Sequence, residues 1–315
     1  MTTRHLIDPE IVPVLDFLPE LDLSHDILPM MREGMAAMEA QGPVAIPDIR
    51  SIPGRDGAPD VALHIFNADP ARPPRPAILH IHGGGMILGT ADMASRSIGP
   101  MAEAMGFVAA SVDYRLAPET AFPGPQEDCY AALDWLVAQA DTLGVDPHRI
   151  VVMGESAGGG LAAALALMAR DRGDIALAGQ ILIYPMLDHR TGGPDCRWQS
   201  ASTGEFIWTR ASNQFGWGAL RGDYGSDDPR KGWFSPALAD DLAGLPPTYV
   251  AVGALDLFLD EDLDFVRRLA GAGVPVECHV YPGAIHAFDM MATARVAQRA
   301  QRDLTDAIAR MLVLD

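Results

Sequence analysis

The alternation of apolar and polar positions changes character at residue 44. From there on, short apolar runs alternate with stretches of helical periodicity. Runs at 44–52, 60–67, 76–82 (PAILHIH), 107–112 (FVAASV), 149–153 (RIVVM), 178–184 (AGQILIY), 247–253 (PTYVAVG) and 275–281 (PVECHVY) predict eight strands. Several are continuously apolar, as strands covered on both faces are. Helical patterns lie near 92–105, 124–140, 156–171, 260–272 and 287–313. In the last, Val296, Ala300, Leu304, Ile308 and Met311 recur at helical spacing and mark one buried face. Strand–helix alternation predicts an α/β fold with a mostly parallel sheet. The first strands have no helix between them and predict an antiparallel start.

Two segments interrupt this rhythm. Residues 1–43 hold proline-punctuated helical stretches before any strand, and residues 187–240 separate two strands. The second carries Trp198, Phe206, Trp208, Phe215, Trp217, Tyr224, Trp233 and Phe234. Connections this long inside a compact domain usually have structure or function of their own. The expected organisation is a catalytic unit of residues 44–186 and 226–315, with 1–43 and 187–225 forming a cap over the sheet.

Composition narrows the function classes. A net charge of −19 repels phosphate backbones and anionic headgroups, so neither nucleic acid nor a membrane surface is an expected partner. No run of 18 uncharged apolar residues offers a membrane span. The N-terminus lacks the basic start and apolar centre of a secretory signal, so a cytoplasmic location is expected. Cys129, Cys196 and Cys278 are an odd count without metal-like spacing, as free thiols of a reducing compartment would be.

The chemistry concentrates at the carboxyl ends of the predicted strands. Ser156 stands in GESAG, between strand RIVVM and helix AGGGLAAALALMAR. That arrangement reads as a nucleophile elbow, whose sharp turn needs small residues two before and two after the serine, here Gly154 and Gly158; the alternative is a glycine-rich turn with Ser156 as an ordinary helix N-cap. The helix N-terminus offers unpaired N–H groups to developing negative charge. In HIHGGGMILG, residues 80–89, three glycines bring bare backbone to the strand end, where N–H groups can face an oxyanion. No Walker lysine or dinucleotide-type glycine pattern accompanies them. His82 reads as a brace for this loop.

A serine nucleophile needs a base, and the base an orienting acid. His286, in YPGAIHAF after the last strand, lies on the same sheet edge as Ser156. His5 and His25 precede the sheet, His148 lies at its opposite end and His279 within a strand. Asp256 ends the preceding strand. Asp260 is the fallback, and with Glu261 and Asp262 it falls in the next helix, where acids complement the dipole. In VDYRLAPE and the segment after it, Arg115 with Asp113, Glu119 or Asp128 reads as a bracing ion-pair network.

HGGG, DYRLAPE, GESAGG, the late aspartate and GAIHAF, in this order, resemble the hormone-sensitive-lipase-like esterases, bacterial family IV of the α/β-hydrolases, from about residue 45 to the C-terminus. The resemblance implies an eight-stranded sheet with a helical cap, and Ser156, Asp256 and His286 as a catalytic triad. It implies an oxyanion hole from the N–H groups of Gly83, Gly84 and Ala157, no cofactor and no metal. It also implies a small-molecule ester as substrate and, as in many members, a homodimer. The activity implied is a serine carboxylesterase for short- to medium-chain acyl esters. An amidase or acyltransferase with the same triad, or a silent ligand-binding receptor on the same fold, are the alternatives. The chain departs from the family pattern at Glu155 (usually Asp), at Met86 (often aromatic) and in ALDLFLDE, which lacks the usual proline. None of these removes a catalytic group.

Overall fold

The computed structural model describes residues 2–17, 22–39, 42 and 44–313. Residues 1, 18–21, 40, 41 and 43 of the expected cap lie outside the described residues. Eight strands form one sheet: β1 (Asp48–Ile52), β2 (Val61–Phe66), β3 (Arg75–Ile81), β4 (Val108–Asp113), β5 (Val145–Glu155), β6 (Gly179–Ile183), β7 (Thr248–Gly253) and β8 (Val276–Tyr281). Their order is β1-β2-β4-β3-β5-β6-β7-β8. β1 pairs antiparallel with β2, and β2 with β4; every later pairing is parallel. The antiparallel start and the parallel remainder are as the strand–helix rhythm predicts.

Period two divides the strands between two cores. Ala77, Leu79 and Ile81 of β3, with Ile150 and Val152 of β5, face one core. Leu133, Leu161, Leu165 and Phe265 cover it from helices Gly124–Ala138, Ala157–Arg172 and Leu259–Gly271. Ile78, Ala109, Val151 and Met153 face the other core, covered by Ile98 and Ala102 of helix Ile98–Met105 and by Val296, Ala300 and Ile308 of helix Arg295–Leu312. Both faces being covered is why the central strands read as nearly continuous apolar runs, broken by such residues as His80, Ser111 and Gln180, rather than as alternating ones.

Four predicted elements shift, one of them β5, which spans Val145–Glu155 rather than 149–153. The first strand starts at Asp48, not 44, and most of β1 is solvent-exposed at the sheet edge. The helix expected over 92–105 is a 3₁₀ segment, Ala91–Arg96, then a helix from Ile98. Pro100 explains the break: it has no N–H for a bond to the turn before, so it sits in a first turn. The helix expected from 287 begins at Arg295, because Ala287 adopts a left-handed conformation directly after His286. The apolar stripe of that helix is buried as expected, with Leu304 and Met311 partly so.

The two segments outside the rhythm meet each other. Thr3 N–H donates to Glu205 Oε2 (2.6 Å), Leu23 N–H to Ser212 Oγ (3.0 Å) and Thr209 Oγ1–H to Asp22 Oδ1 (2.5 Å). Among the described residues no helix is long and apolar enough to cross a membrane, and Cys129, Cys196 and Cys278 are free thiols.

Candidate active site

β5 runs into a turn and the helix Ala157–Arg172 leaves it, with Ser156 between them at φ 55°, ψ −118°. A non-glycine residue there carries strain of order 1–3 kcal/mol and is held by its surroundings. Ser156 N–H donates to Ile183 O (2.9 Å), and Ser156 O accepts from Gly160 N–H (3.0 Å) and Met186 N–H (2.9 Å). The turn is closed against bare backbone. A Cβ on Gly154 would lie 2.3 Å from the Gly158 carbonyl, and one on Gly158 would lie 2.0 Å from Ile81 O. Backbone on both sides cannot yield as a side chain can. Gly158→Ala is therefore expected to destabilise the fold by about 1–3 kcal/mol or more, read as a lower Tm or loss of soluble protein. A Tm equal to wild type contradicts this packing.

The structure brings Ser156, His286 and Asp256 into one hydrogen-bonded series. Ser156 Oγ stands 2.9 Å from His286 Nε2, and His286 Nδ1 stands 2.8 Å from Asp256 Oδ2. Asp256 Oδ1 accepts Phe258 N–H at 3.0 Å. The three are buried, with 6%, 4% and 0% of their surface exposed, so this series sits in a low-dielectric site. An acceptor carboxylate at Nδ1 requires the proton there, which leaves Nε2 as the acceptor for the serine hydroxyl. Loop backbone fixes the placement: Ala254 N–H donates to Tyr281 O and Leu255 N–H to Ala284 O, joining the loop after β7 to the loop after β8 (both 2.9 Å). The imidazole is walled by Tyr184, Phe258 and Trp208, with ring centroids 4.8, 5.3 and 6.2 Å away. Asp260, the fallback acid, lies half-buried on the next helix.

The glycine loop lies against this elbow. A Cβ on Gly83 would stand 3.0 Å from Glu155 O and 3.5 Å from Ser156 Cβ, and Gly84 turns the chain at φ +116°. Ala157 opens the helix, so its N–H has no partner within the helix. The amides of Gly83, Gly84 and Ala157 thus belong to segments that meet at Ser156. His82 braces the loop: its Nδ1–H donates to Gly83 O (2.8 Å), and its ring stacks on Tyr114 at 4.2 Å. Burial drives its pKa down to about 4, so the ring is neutral at ordinary pH. Tyr114 OH donates to His82 O (3.0 Å). Trp208 covers the third glycine so closely that a Cβ on Gly85 would meet the indole at 2.1 Å. The indole N–H donates to Asn213 Oδ1 (3.1 Å).

Of the three acids offered to Arg115, the structure pairs it with one. Arg115 pairs with Asp128 (2.7 Å). Glu119 instead pairs with Arg32 of the helix Leu28–Glu39, and Asp113 Oδ1 accepts Ala91 N–H (2.9 Å). Arg32 also donates to Ile87 O and Ala117 O (both 2.9 Å), tying the N-terminal segment to the glycine loop. A cleft of about 400 Å³ opens beside these residues, between Arg32, Met35, Gly89, Arg115 and Leu116.

Three groups escaped the reading of the sequence. Glu261 is buried instead of merely complementing a dipole. It accepts the amides of Leu187 (2.6 Å) and Asp188 (3.1 Å), and burial pushes its carboxyl pKa well up. Tyr184, with φ +37°, packs on His286 and donates its hydroxyl to Asp289 (2.6 Å). His80 reaches Glu155, the residue before the nucleophile. Only the last had a signal in the sequence: a histidine and a glutamate at inward positions of apolar strands.

A profile of the alpha/beta hydrolase fold matches residues 78–290. The esterase LipI of Mycobacterium tuberculosis is 32% identical over 90% of this chain and 88% of its own length. The ethyl acetate hydrolase of Pseudomonas putida is 32% identical over 86% and 83%. Among solved structures, a bacterial heroin esterase is 40% identical, covers 99% of both chains and superposes with a TM-score of 0.88.

Proposed function

The chain belongs to the hormone-sensitive-lipase-like branch of the alpha/beta hydrolase fold family and is a carboxylic ester hydrolase, and we propose that it works as a serine carboxylesterase through an acyl-enzyme. The observation that carries this reading is His286 held between Ser156 Oγ at 2.9 Å and Asp256 Oδ2 at 2.8 Å. Ser156 Oγ attacks the ester carbonyl and its proton passes to His286 Nε2, while Asp256 stabilises the imidazolium. The tetrahedral oxyanion is held by the N–H groups of Gly83, Gly84 and Ala157, each such donor being worth about 2.7–4 kcal/mol of barrier. His286 returns the proton to the leaving alcohol. Water then attacks the acyl-serine with His286 as base, releasing the acid and restoring Ser156.

Residues 1–43 and 187–225 are read as the two parts of a cap over the catalytic unit, supported by the hydrogen bonds that join Thr3, Asp22 and Leu23 to Glu205, Thr209 and Ser212. The cap supplies Trp208, which roofs Gly85 and stands beside His286. We read this roof as limiting the site to short- to medium-chain acyl groups. On p-nitrophenyl esters from acetate to palmitate, kcat/KM is expected to peak at or below about eight carbons, each buried methylene being worth only ~0.8 kcal/mol where it fits. Trp208→Ala is expected to move the optimum to longer chains. A wild-type optimum at palmitate overturns the size limit. Product analysis in the presence of a competing alcohol and amine tests the reaction class: free acid as the main product supports hydrolysis, whereas predominant transfer makes the protein an acyltransferase.

A further inference from the structure

We propose that His80 is a positioning residue that clamps the Glu155 carboxylate and so fixes the nucleophile elbow against the glycine loop. The inference rests on the serine-esterase reading and adds a residue to it. β3 and β5 are neighbouring parallel strands whose ladder ends at the pair Ile81 and Gly154. Beyond that pair β3 leaves the sheet as the glycine loop, while β5 keeps only its pairing to β6, Glu155 opposite Ile183, before it turns into the elbow with Ser156. Backbone pairing between β3 and β5 therefore stops just before the distance that matters, between the oxyanion amides and the nucleophile.

A side-chain link spans the same two strands there. His80 Nε2–H donates to both oxygens of Glu155, at 3.1 and 3.0 Å. On its other side His80 Nδ1 stands 2.9 Å from Ser111 Oγ, and Ser111 is the residue opposite His80 in the β3–β4 register. His80 and Ser111 are buried, with 1% and 0% of their surface exposed. Period two puts Ser111, His80 and Glu155 on the largely apolar face of Ala109, Ile78 and Met153, which also carries the buried His64 of β2 opposite Ser111. A buried polar row in an apolar layer costs stability unless every member is paired. Here the pairing is directed: it begins on β4, passes through β3 and ends on the residue bonded to Ser156.

Glu155 touches the loop from the backbone as well, since its carbonyl oxygen packs on Gly83. The clamp thus holds one residue by two handles, the side chain on β3 and the carbonyl against the loop that β3 feeds. No part of Ser111–His80–Glu155 need touch the substrate, because the row acts through the elbow.

The test uses purified full-length protein, with rates expressed per site titrated by p-nitrophenyl phosphonate. His80→Phe keeps ring volume and removes the link; Glu155→Leu removes it from the other end. Each is expected to lower kcat by about 10- to 100-fold, the scale of a small misplacement at a reacting centre, with KM within about threefold of wild type. Phosphonylation of Ser156 slows in parallel, because it too needs the oxyanion amides. Glu155→Gln keeps an acceptor for His80 Nε2–H and is expected to stay within about threefold of wild type. The double variant His80→Phe with Glu155→Leu is expected to be no slower than the worse single one, as for two ends of one link. Single variants that keep wild-type kcat, or that change only KM, overturn the clamp, and so does a double variant whose losses multiply. If His80→Phe does not fold, the comparison of Glu155→Leu with Glu155→Gln decides by the same kcat readout. A wild type without turnover strikes the esterase reading and takes the clamp with it. An active wild type with indifferent variants strikes the clamp alone.

Discussion

Ser156→Ala is expected to lower kcat for p-nitrophenyl acetate by about 10⁴- to 10⁶-fold and to abolish labelling by p-nitrophenyl phosphonate. The size follows from what is lost. Without Oγ there is no covalent acyl intermediate, and His286 has no nucleophile to deprotonate at 2.9 Å. The residual rate comes from water attacking an ester still held by the oxyanion amides. Removing one hydroxyl hydrogen bond costs only about 0.5–1.5 kcal/mol of stability, so Tm should move by a few degrees at most. Stopped-flow turnover and mass spectrometry of the phosphonate adduct check both statements. Turnover of the alanine variant within tenfold of wild type would remove the proposed mechanism.

Asp256→Asn carries the second large effect, a fall in kcat of about 10⁴-fold with the fold intact. Its cause is the direction of one proton. Asp256 has two oxygens with separate partners: Oδ1 accepts the Phe258 amide and Oδ2 faces His286 Nδ1. An asparagine has one acceptor and one donor. The Phe258 N–H still needs the acceptor, so the amide –NH₂ is turned toward His286 Nδ1. The ring must then carry its proton on Nε2, where it cannot take one from Ser156. Asp260→Asn supplies the contrast, since Asp260 lies on the next helix and is expected to change kcat by less than about threefold. A larger loss from Asp260→Asn than from Asp256→Asn would reassign the acid.

The Glu155 departure shows how far a single sequence can be read. Local comparison marks a glutamate where aspartate is usual, and stops there. The structure supplies the partner, His80, from another strand, and with it a reason for the longer side chain. The bracing network around Arg115 has the same lesson. Of the three acids that the sequence offered to Arg115, Asp128 takes it, while Glu119 takes its arginine from the N-terminal helix, 87 residues away. Glu261 looked like a first-turn acid and is a buried acceptor for the loop after β6. In each case what the sequence left open or missed is a side chain whose partner lies on a different element.

By itself the sequence determined the elements, the mostly parallel sheet with its antiparallel start, and the elbow around Ser156. These rest on periodicity, on continuous apolar runs and on turn chemistry within a few residues, all of which act along the chain. It also narrowed the base and the acid to His286 and Asp256, because strand ends in a parallel sheet share one edge. Only the tertiary structure decided the distances: serine and histidine 130 positions apart brought to 2.9 Å, an indole laid on Gly85, and a histidine inside the sheet reaching the residue before the nucleophile. The physical reason is that contacts between elements depend on strand order and on how side chains fill the two cores, and no local pattern of residues carries that information.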